Sequence, residues 1–477
     1  MATTTEQGGT GLPTSVFRGP QRATTIGLVI VVTLIAFEAM AIATAMPSAV
    51  RDLDGLAYYS WPFTAFLVAS VVGIVLCGDI SDRVGAARPL FAGLAVFTAG
   101  LLIAGTAPIM AVFVLGRAIQ GLGAGLVIVA LYVVIAHAYE EGQRPRVFAA
   151  VSAAWVLPSV LGPAVSGLIS EHLDWRLVFL GLPPFILLGA ALLRPALRGL
   201  PHHAAPRGDA RSRVLLAVAA AVGVGLLQYA GQDLRWLALV PALAGAALLT
   251  VALPRLLPRG TLRLRRGLPA VVAFRGLLAG AFFGADAFIP LMLSEVHGFR
   301  PSLAGLPLTV AALGWTMGAW WQGRRTTRER HLFIRAGFTL VALAVVGMAI
   351  VALPGVNGWL AAPVWILGGL GMGLAMPTIS VLTLKFAPPG EQGFASSALQ
   401  ICDVLCGGLC IGIAGVLLVA VTSGGGSLSS AIGLANLLLA GVAVVGALAA
   451  GRARGAERVG DEASEHRAQR GAERVGD

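Results

Sequence analysis

The sequence predicts an all-α integral membrane protein of fourteen transmembrane helices, built as two six-helix bundles with an inserted two-helix hairpin. Three observations predict it. The 477-residue chain has a mean hydropathy of +0.84 and only 12% charged residues, about half of the roughly 25% found in water-soluble domains. Stretches such as 340–384 carry no charge at all, long enough to cross about 30 Å of hydrocarbon at about 1.5 Å per residue. The basic residues also fall in alternate loops, as they do when a chain weaves through a bilayer with its positive loops inside.

The elements follow in chain order, with ends read to within several residues. The tail 1–23 is polar and has no apolar core before a cleavage site, so the first helix is expected to be its own insertion signal. With that tail taken as cytoplasmic, α1 (24–47) leads out to Arg51, and α2 (61–77) returns to Arg83 and Arg88. Helix α3 (89–107) leads out, and α4 (110–136) returns to Arg144 and Arg146. Helix α5 (147–169) leads out to Arg176. Helix α6 (177–193) returns to a basic linker, 194–213, with Arg194, Arg198, Arg207, Arg211 and Arg213. The hairpin 214–254 is α7 (214–231) and α8 (236–254), with Arg235 at its tip. A second basic loop, 255–267, holds Arg255, Arg259, Arg263, Arg265 and Arg266. Helix α9 (268–293) leads out to Arg300, and α10 (303–323) returns to Arg324, Arg325, Arg328, Arg330 and Arg335. Helices α11 (335–353) and α12 (359–384) cross to Lys385, and α13 (394–421) and α14 (428–450) close the bundle.

Twenty of the Arg and Lys residues named above are inside and four, Arg51, Arg176, Arg235 and Arg300, outside. Omitting one central helix would invert every later loop and erase this bias. The count is therefore even and both termini are expected in the cytoplasm, with the protein in the cell membrane. The six-helix halves are 24–193 and 268–450. The tail 451–477 is charged, contains RGAERVGD twice, and has the composition of a disordered segment.

Several function classes are excluded. The net charge of +11 is explained by the inside loops, so no nucleic-acid partner is expected. No nucleotide-binding glycine loop and no metal-ligand spacing occurs, so neither enzyme chemistry nor a cofactor is expected. Cys77, Cys402, Cys406 and Cys410 all lie in apolar stretches. The last three recur every fourth residue, as packing residues on one helix face.

Motifs carry the rest. The loop after α2 reads Gly78-Asp79-Ile80-Ser81-Asp82-Arg83-Val84-Gly85-Ala86-Ala87-Arg88. Helix α4 contains Arg117-Ala118-Ile119-Gln120-Gly121, and α5 contains Gly162-Pro163-Ala164-Val165-Ser166-Gly167 after Pro158. Trp175-Arg176 precedes Phe179 and Pro183, and α1 holds Phe37-Glu38-Ala39-Met40 ahead of Ala45-Met46-Pro47. These resemble, in order and spacing, the GxLaDRxGRk loop, RxxQG, GPxxGG, the opening of helix 6 and the acidic first helix of the major facilitator superfamily. Fourteen helices make the chain similar to its drug:proton antiporter branch. Departures are Ala86 and Ala87 for a basic pair, Ser166 for a glycine and Glu38 for an aspartate. The second half keeps only a degenerate loop, Gly314, Gly318 and Gln322-Gly323-Arg324-Arg325, without an acid.

The loop predicts a conformational switch. Gly78 would allow close helix approach, Gly85 a tight turn, and Asp82, beside Arg83, would face the positive end of a neighbouring helix. Gly162, Pro163 and Gly167 would shape a kinked, closely packed helix at the seam between halves.

An ionised side chain costs at least about 2.5–3.5 kcal/mol at a helix centre in a bilayer, so such residues are functional candidates. Glu38 lies about 14 residues into α1, roughly 21 Å deep; Asp403 lies about nine into α13, roughly 14 Å. Counted from Arg275 as an interface marker, Asp286 lies about 16 Å into α9. Arg117 lies about 9 Å inside the outer boundary and is read as a buried arginine of the proton or substrate pathway. Carboxyls taken out of water hold protons more readily, so Glu38, Asp286 and Asp403 are expected to exchange protons against substrate, with the proton gradient as energy source. The same residues would suit packing if each bonded only to a neighbouring helix. Gln120, Gln228, Gln400, Trp155 and Trp315 are expected around the substrate cavity.

The resemblance thus implies a secondary active transporter, a proton-driven exporter of drug-like or amphiphilic organic molecules. It would work by alternating access, as a monomer, with the bilayer and a small organic substrate as partners. A proton-coupled importer or symporter, or a scaffold or sensor of the same fold, are the alternatives.

Overall fold

The computed structural model describes residues 21–140, 143–197, 210–232, 236–325, 329–388 and 391–454. Residues 1–20, most of the linker 194–213 and the repeats of the C-terminal tail lie outside the described residues. Fourteen helices long and apolar enough to cross a membrane are present among the described residues, in the predicted order. Ten are single helices: α1 Arg22–Asp52, α2 Trp61–Val84, α3 Ala87–Gly105, α4 Met110–Ala138, α5 Arg144–His172, α7 Ala210–Ala230, α8 Leu239–Leu256, α11 Arg330–Val351, α13 Gln392–Ser423 and α14 Leu428–Ala449. Helix α12, Ala361–Phe386, is entered through a 3-10 turn at Gly358–Leu360.

Three spans are broken near the side opposite the termini, here the far side, and each break sits at proline. Helix α6 is Leu177–Leu180 followed by Pro183–Leu197; α9 is Leu268–Asp286 followed by Ile289–Glu295; α10 is Pro301–Ala304 followed by Leu306–Gly323. Proline has no N–H to donate, so it suits the first turn of a helix and interrupts one already running. In α9, Pro290 has no N–H for the Asp286 carbonyl four residues earlier. Helix α5, by contrast, runs unbroken through Pro158 and Pro163.

Within each bundle the same tight contact occurs. Helix α2 packs on α4, and α10 on α12, and glycines let the backbones touch. A Cβ on Gly121 would stand 2.1 Å from the Phe66 carbonyl oxygen, and one on Gly125 2.1 Å from that of Ser70. A Cβ on Gly369 would stand 1.9 Å from the Ala311 oxygen, and one on Gly373 2.1 Å from that of Trp315. Both pairs are glycines four apart, the spacing that drives close helix contact where no hydrophobic effect operates between helices. Large apolar side chains cover the outside: Leu173, Val240, Leu243 and Leu448 are each more than 60% exposed, as lipid-facing positions are.

The hairpin α7–α8 does not stand apart. Helix α7 rests on α2 of the first bundle and α13 of the second. Gln228 Nε2 donates to Ser60 Oγ at 2.8 Å, Gln232 Nε2 donates to the Ala57 carbonyl at 3.1 Å, and Gly231 lies against the Val416 side chain.

Candidate functional site

Between the bundles lies a cavity of about 300 Å³, lined by α1, α2, α4 and α5 of the first bundle and α9 and α13 of the second. Its wall is mostly apolar, including Phe63, Phe66, Trp155 and Phe283. A few polar groups converge on it: Arg117, Asp286, Gln400, Asp403 and Ser70. An apolar pocket with few placed polar groups is the usual form of a small-molecule site.

The three acids predicted from sequence do not form one cluster. Glu38 is fully enclosed and forms an ion pair with Arg117, whose side chain is itself only 2% exposed. Arg117 Nη1 also donates to Gln120 Oε1 at 2.6 Å, its Nε to the Pro62 carbonyl at 3.4 Å, and its guanidinium lies 4.4 Å from the centre of the Phe66 ring. Glu38 Oε2 and Gln120 Nε2 are buried without a hydrogen-bond partner among the described residues. Arg117 thus does not reach out to the boundary, and its partner lies on α1.

Asp403 forms a second, looser pair. Arg275 Nη2 donates to its Oδ2 at 3.0 Å, and Nη1 to Ser380 Oγ at 3.3 Å; the side chains are 15% and 16% exposed. Arg275 is therefore a partner within the membrane rather than the interface marker read from sequence. Asp286, at the break of α9, accepts from Trp365 Nε1 at 2.7 Å and is half-buried. It has no ion-pair partner among the described residues. Trp365, fully buried, stacks on Phe282 at 4.8 Å. The break also presents the Ala287 carbonyl to the Tyr59 hydroxyl, 2.7 Å away.

The remaining predicted residues divide. Trp155 and Gln400 line the cavity, and Gln120 reaches it through Arg117. Gln228 does not line it: the structure places it in the contact of α7 with Ser60 and Gly412. Trp315 is also outside the lining and packs edge-on against Phe282. Gly85, at the end of α2, has φ 77° and ψ 169°, a positive-φ backbone that glycine suits. Gly78 corrects its expectation: a Cβ there would meet nothing within 4 Å among the described residues, and Gly73, where a Cβ would stand 2.3 Å from the Leu122 oxygen, makes the close approach instead. The side chain of Asp82 lies outside the described residues, and Arg83 is exposed.

The α5 motif lies on the seam. A Cβ on Gly162 would stand 3.1 Å from Met40 Cβ of α1, and one on Gly167 2.7 Å from Ser302 Cα of α10. Ser166, in place of the family's glycine, donates to the Ala41 carbonyl at 2.7 Å. Nearby on the far side the bundles are tied by polar contacts. Ser302 donates to Glu171, which Arg300 approaches at 3.6 Å, and Arg51 pairs with Glu295 at 2.8 Å.

The sequence reading missed Arg275, Trp365 and Tyr59. A second in-helix arginine was a usable signal for Arg275. Trp365 and Tyr59 carry no local mark that sets them apart from packing aromatics.

A family model described as Major Facilitator Superfamily matches residues 28–410. The chain belongs to the major facilitator superfamily. It is thus a multi-pass membrane transporter and not an enzyme. Among similar proteins is a probable multidrug-efflux transporter of Mycobacterium tuberculosis, 28% identical over 424 residues, covering 82% of this chain and 85% of that one. The multidrug transporter protein MdtP of Bacillus subtilis is 24% identical over 401 residues, covering 78% of this chain and 71% of that one. Solved structures share the fold. An auto-inhibited peptide transporter of the POT family superposes with TM-score 0.65 at 16% identity, covering 90% of this chain and 96% of that one. The nucleoside transporter NupG does so with TM-score 0.62 at 15%, covering 89% and 98%.

Proposed function

We propose that this superfamily member is a proton-driven exporter of drug-like or amphiphilic organic molecules. It exchanges protons for substrate by alternating access of its two bundles, as a monomer in the cell membrane with both termini cytoplasmic. The observation that carries the reading is the enclosed Glu38–Arg117 pair beside an apolar central cavity. A buried ion pair is costly to assemble and costlier to break on one side only. Such an expense inside the membrane marks function.

The pair supplies a reason for exchange. With Glu38 ionised, the charge of Arg117 is cancelled. When Glu38 takes a proton, Arg117 stands as an uncompensated cation on the cavity wall, and a cationic guest there is repelled. Proton and guest therefore exclude each other, which is the condition for antiport. Asp286 and Asp403 are the second and third proton sites of the scheme. Gly85 and the Gly162-Pro163…Gly167 segment are its moving parts, and Asp82 and Arg83 belong to the same switch loop. Gln120 orients Arg117; Trp155 and Gln400 face the guest. The far-side contacts of Glu171 and Arg51 would part when the cavity opens to that side.

The relatives named for multidrug efflux support the direction and the substrate class. The test is transport in proteoliposomes with an imposed pH gradient, screened against cationic, neutral and anionic organic compounds. Wild-type protein is expected to concentrate some compounds against the proton flow, and Glu38→Gln to lose this. Full pH-driven transport in Glu38→Gln, Asp286→Asn and the double variant would overturn the reading, as would accumulation only in the direction of proton flow.

A further inference from the structure

The loop between α8 and α9 is folded back on itself instead of stretched between the two helices. Helix α8 ends at Leu256, and a single 3-10 turn, Thr261–Arg263, is bracketed by two left-handed residues, Gly260 at φ 95° and Leu264 at φ 51°. A left-handed leucine is strained, and hydrogen bonds hold it there. Its N–H donates to the Thr261 carbonyl at 3.0 Å, and the Arg265 N–H to the Gly260 carbonyl at 3.1 Å. Arg452, beyond the end of α14, donates Nη1 to the Arg263 and Leu264 carbonyls, each at 3.1 Å.

This fold makes a hollow of about 350 Å³. Arg259, Arg263 and Arg265 line it together with Leu253, Pro254 and Leu257. No acidic residue lines it, and none among the described residues forms an ion pair with these arginines. Like charges on one concavity repel one another, and a bound anion relieves that repulsion. Guanidinium groups pair with phosphate through two parallel N–H bonds.

The hollow lies at the end of a membrane-spanning helix. On α8, Val240, Leu243 and Val251 are 67%, 69% and 50% exposed, as lipid-facing residues are, and Leu262 in the turn itself is 61% exposed. A free phosphate would use the arginines and leave this apolar surface bare. A phospholipid uses both, and basic pockets at the ends of membrane helices take acidic headgroups.

We propose that the loop 257–265 is a binding site for an anionic phospholipid, its phosphate held by Arg259, Arg263 and Arg265 and its acyl chains lying along α8. The inference goes beyond the exporter reading and does not depend on it.

The test is equilibrium binding to purified full-length protein in detergent, read as fluorescence anisotropy. The probes are phosphatidylglycerol and zwitterionic phosphatidylcholine carrying the same fluorescent acyl chain. Wild-type protein is expected to bind phosphatidylglycerol at least fivefold more tightly. Arg259→Gln, Arg263→Gln and Arg265→Gln together should bring the two lipids within twofold, and Arg259→Gln alone should lose at least half of the preference. The same loss of charge at Arg324, Arg325 and Arg335, exposed at the ends of α10 and α11, should leave the preference within twofold of wild type. A wild-type protein without the preference overturns the proposal whether or not the variants fold. So does a triple variant of the loop that keeps it, or an equal loss in the α10–α11 control, which would make it an effect of net charge. Displacement of the lipid by an equal concentration of glycerol phosphate would assign the site to free phosphate and overturn the lipid.

Discussion

The contact of α2 with α4 in the first bundle and that of α10 with α12 in the second are made from the same parts. Each brings two glycines four residues apart onto a facing backbone, Gly121 and Gly125 in one, Gly369 and Gly373 in the other. The charges placed on the two frames differ. The first bundle encloses Glu38 with Arg117 so completely that one carboxylate oxygen has no donor. The second holds Asp403 with Arg275 in a pair that remains about 15% exposed, and leaves Asp286 without a cation among the described residues. Packing is repeated because both bundles meet the same lipid. Charge is not repeated: Glu38 and Arg117 are enclosed in the first bundle, and the second pairs Asp403 with Arg275 where both remain partly exposed.

The largest effect is expected at Arg117→Ala, which strands Glu38 in a closed site. The loss is about 3–5 kcal/mol, measured as a fall in thermal unfolding midpoint in detergent. Adding Glu38→Gln should recover part of it; no recovery would mean the two residues act independently. Next come the glycines. Gly121→Ala and Gly369→Ala each drive a methyl into a backbone oxygen, and each is expected to cost about 1–3 kcal/mol. Equal losses sharpen the claim that the two contacts are equivalent, and a loss in only one breaks it. Arg275→Ala should cost less than Arg117→Ala, below about 2 kcal/mol, because that pair is less completely enclosed. A larger loss there than at Arg117 would reverse the ranking of the two pairs. The smallest effect is expected at Gly78→Ala, within about 0.5 kcal/mol, since none of the described residues stands within 4 Å of its Cβ direction.

Much of the fold was legible in the sequence, because each span is marked locally by its own apolar run. The turn at Gly85 and the packing cysteines were legible for the same reason. Cys402, Cys406 and Cys410 lie against Gly276 and Gly280 of α9. The acids at Glu38, Asp286 and Asp403 stood out as charges in apolar helices. What could not be read was partnership. Glu38 and Arg117 are 79 residues apart, and Arg275 and Asp403 are 128 apart. Nothing in either helix alone sets its rotation against the other. The same limit explains Gln228, a polar residue in an apolar helix that serves the hairpin contact instead of the cavity. Gly78 lies near the end of α2, and a Cβ there would meet nothing within 4 Å among the described residues, so the motif's glycine does not make the close approach.

The central claim is that substrate and protons move in opposite directions through one cavity whose coupling group is Glu38. The most direct measurement is lumenal pH in proteoliposomes loaded with a pH-sensitive dye, with a substrate gradient and no initial pH gradient. Wild-type protein is predicted to move protons against the substrate flow, and Glu38→Gln to move none. Substrate flow through the wild-type protein without a pH change, or an undiminished proton flux in Glu38→Gln, would contradict it.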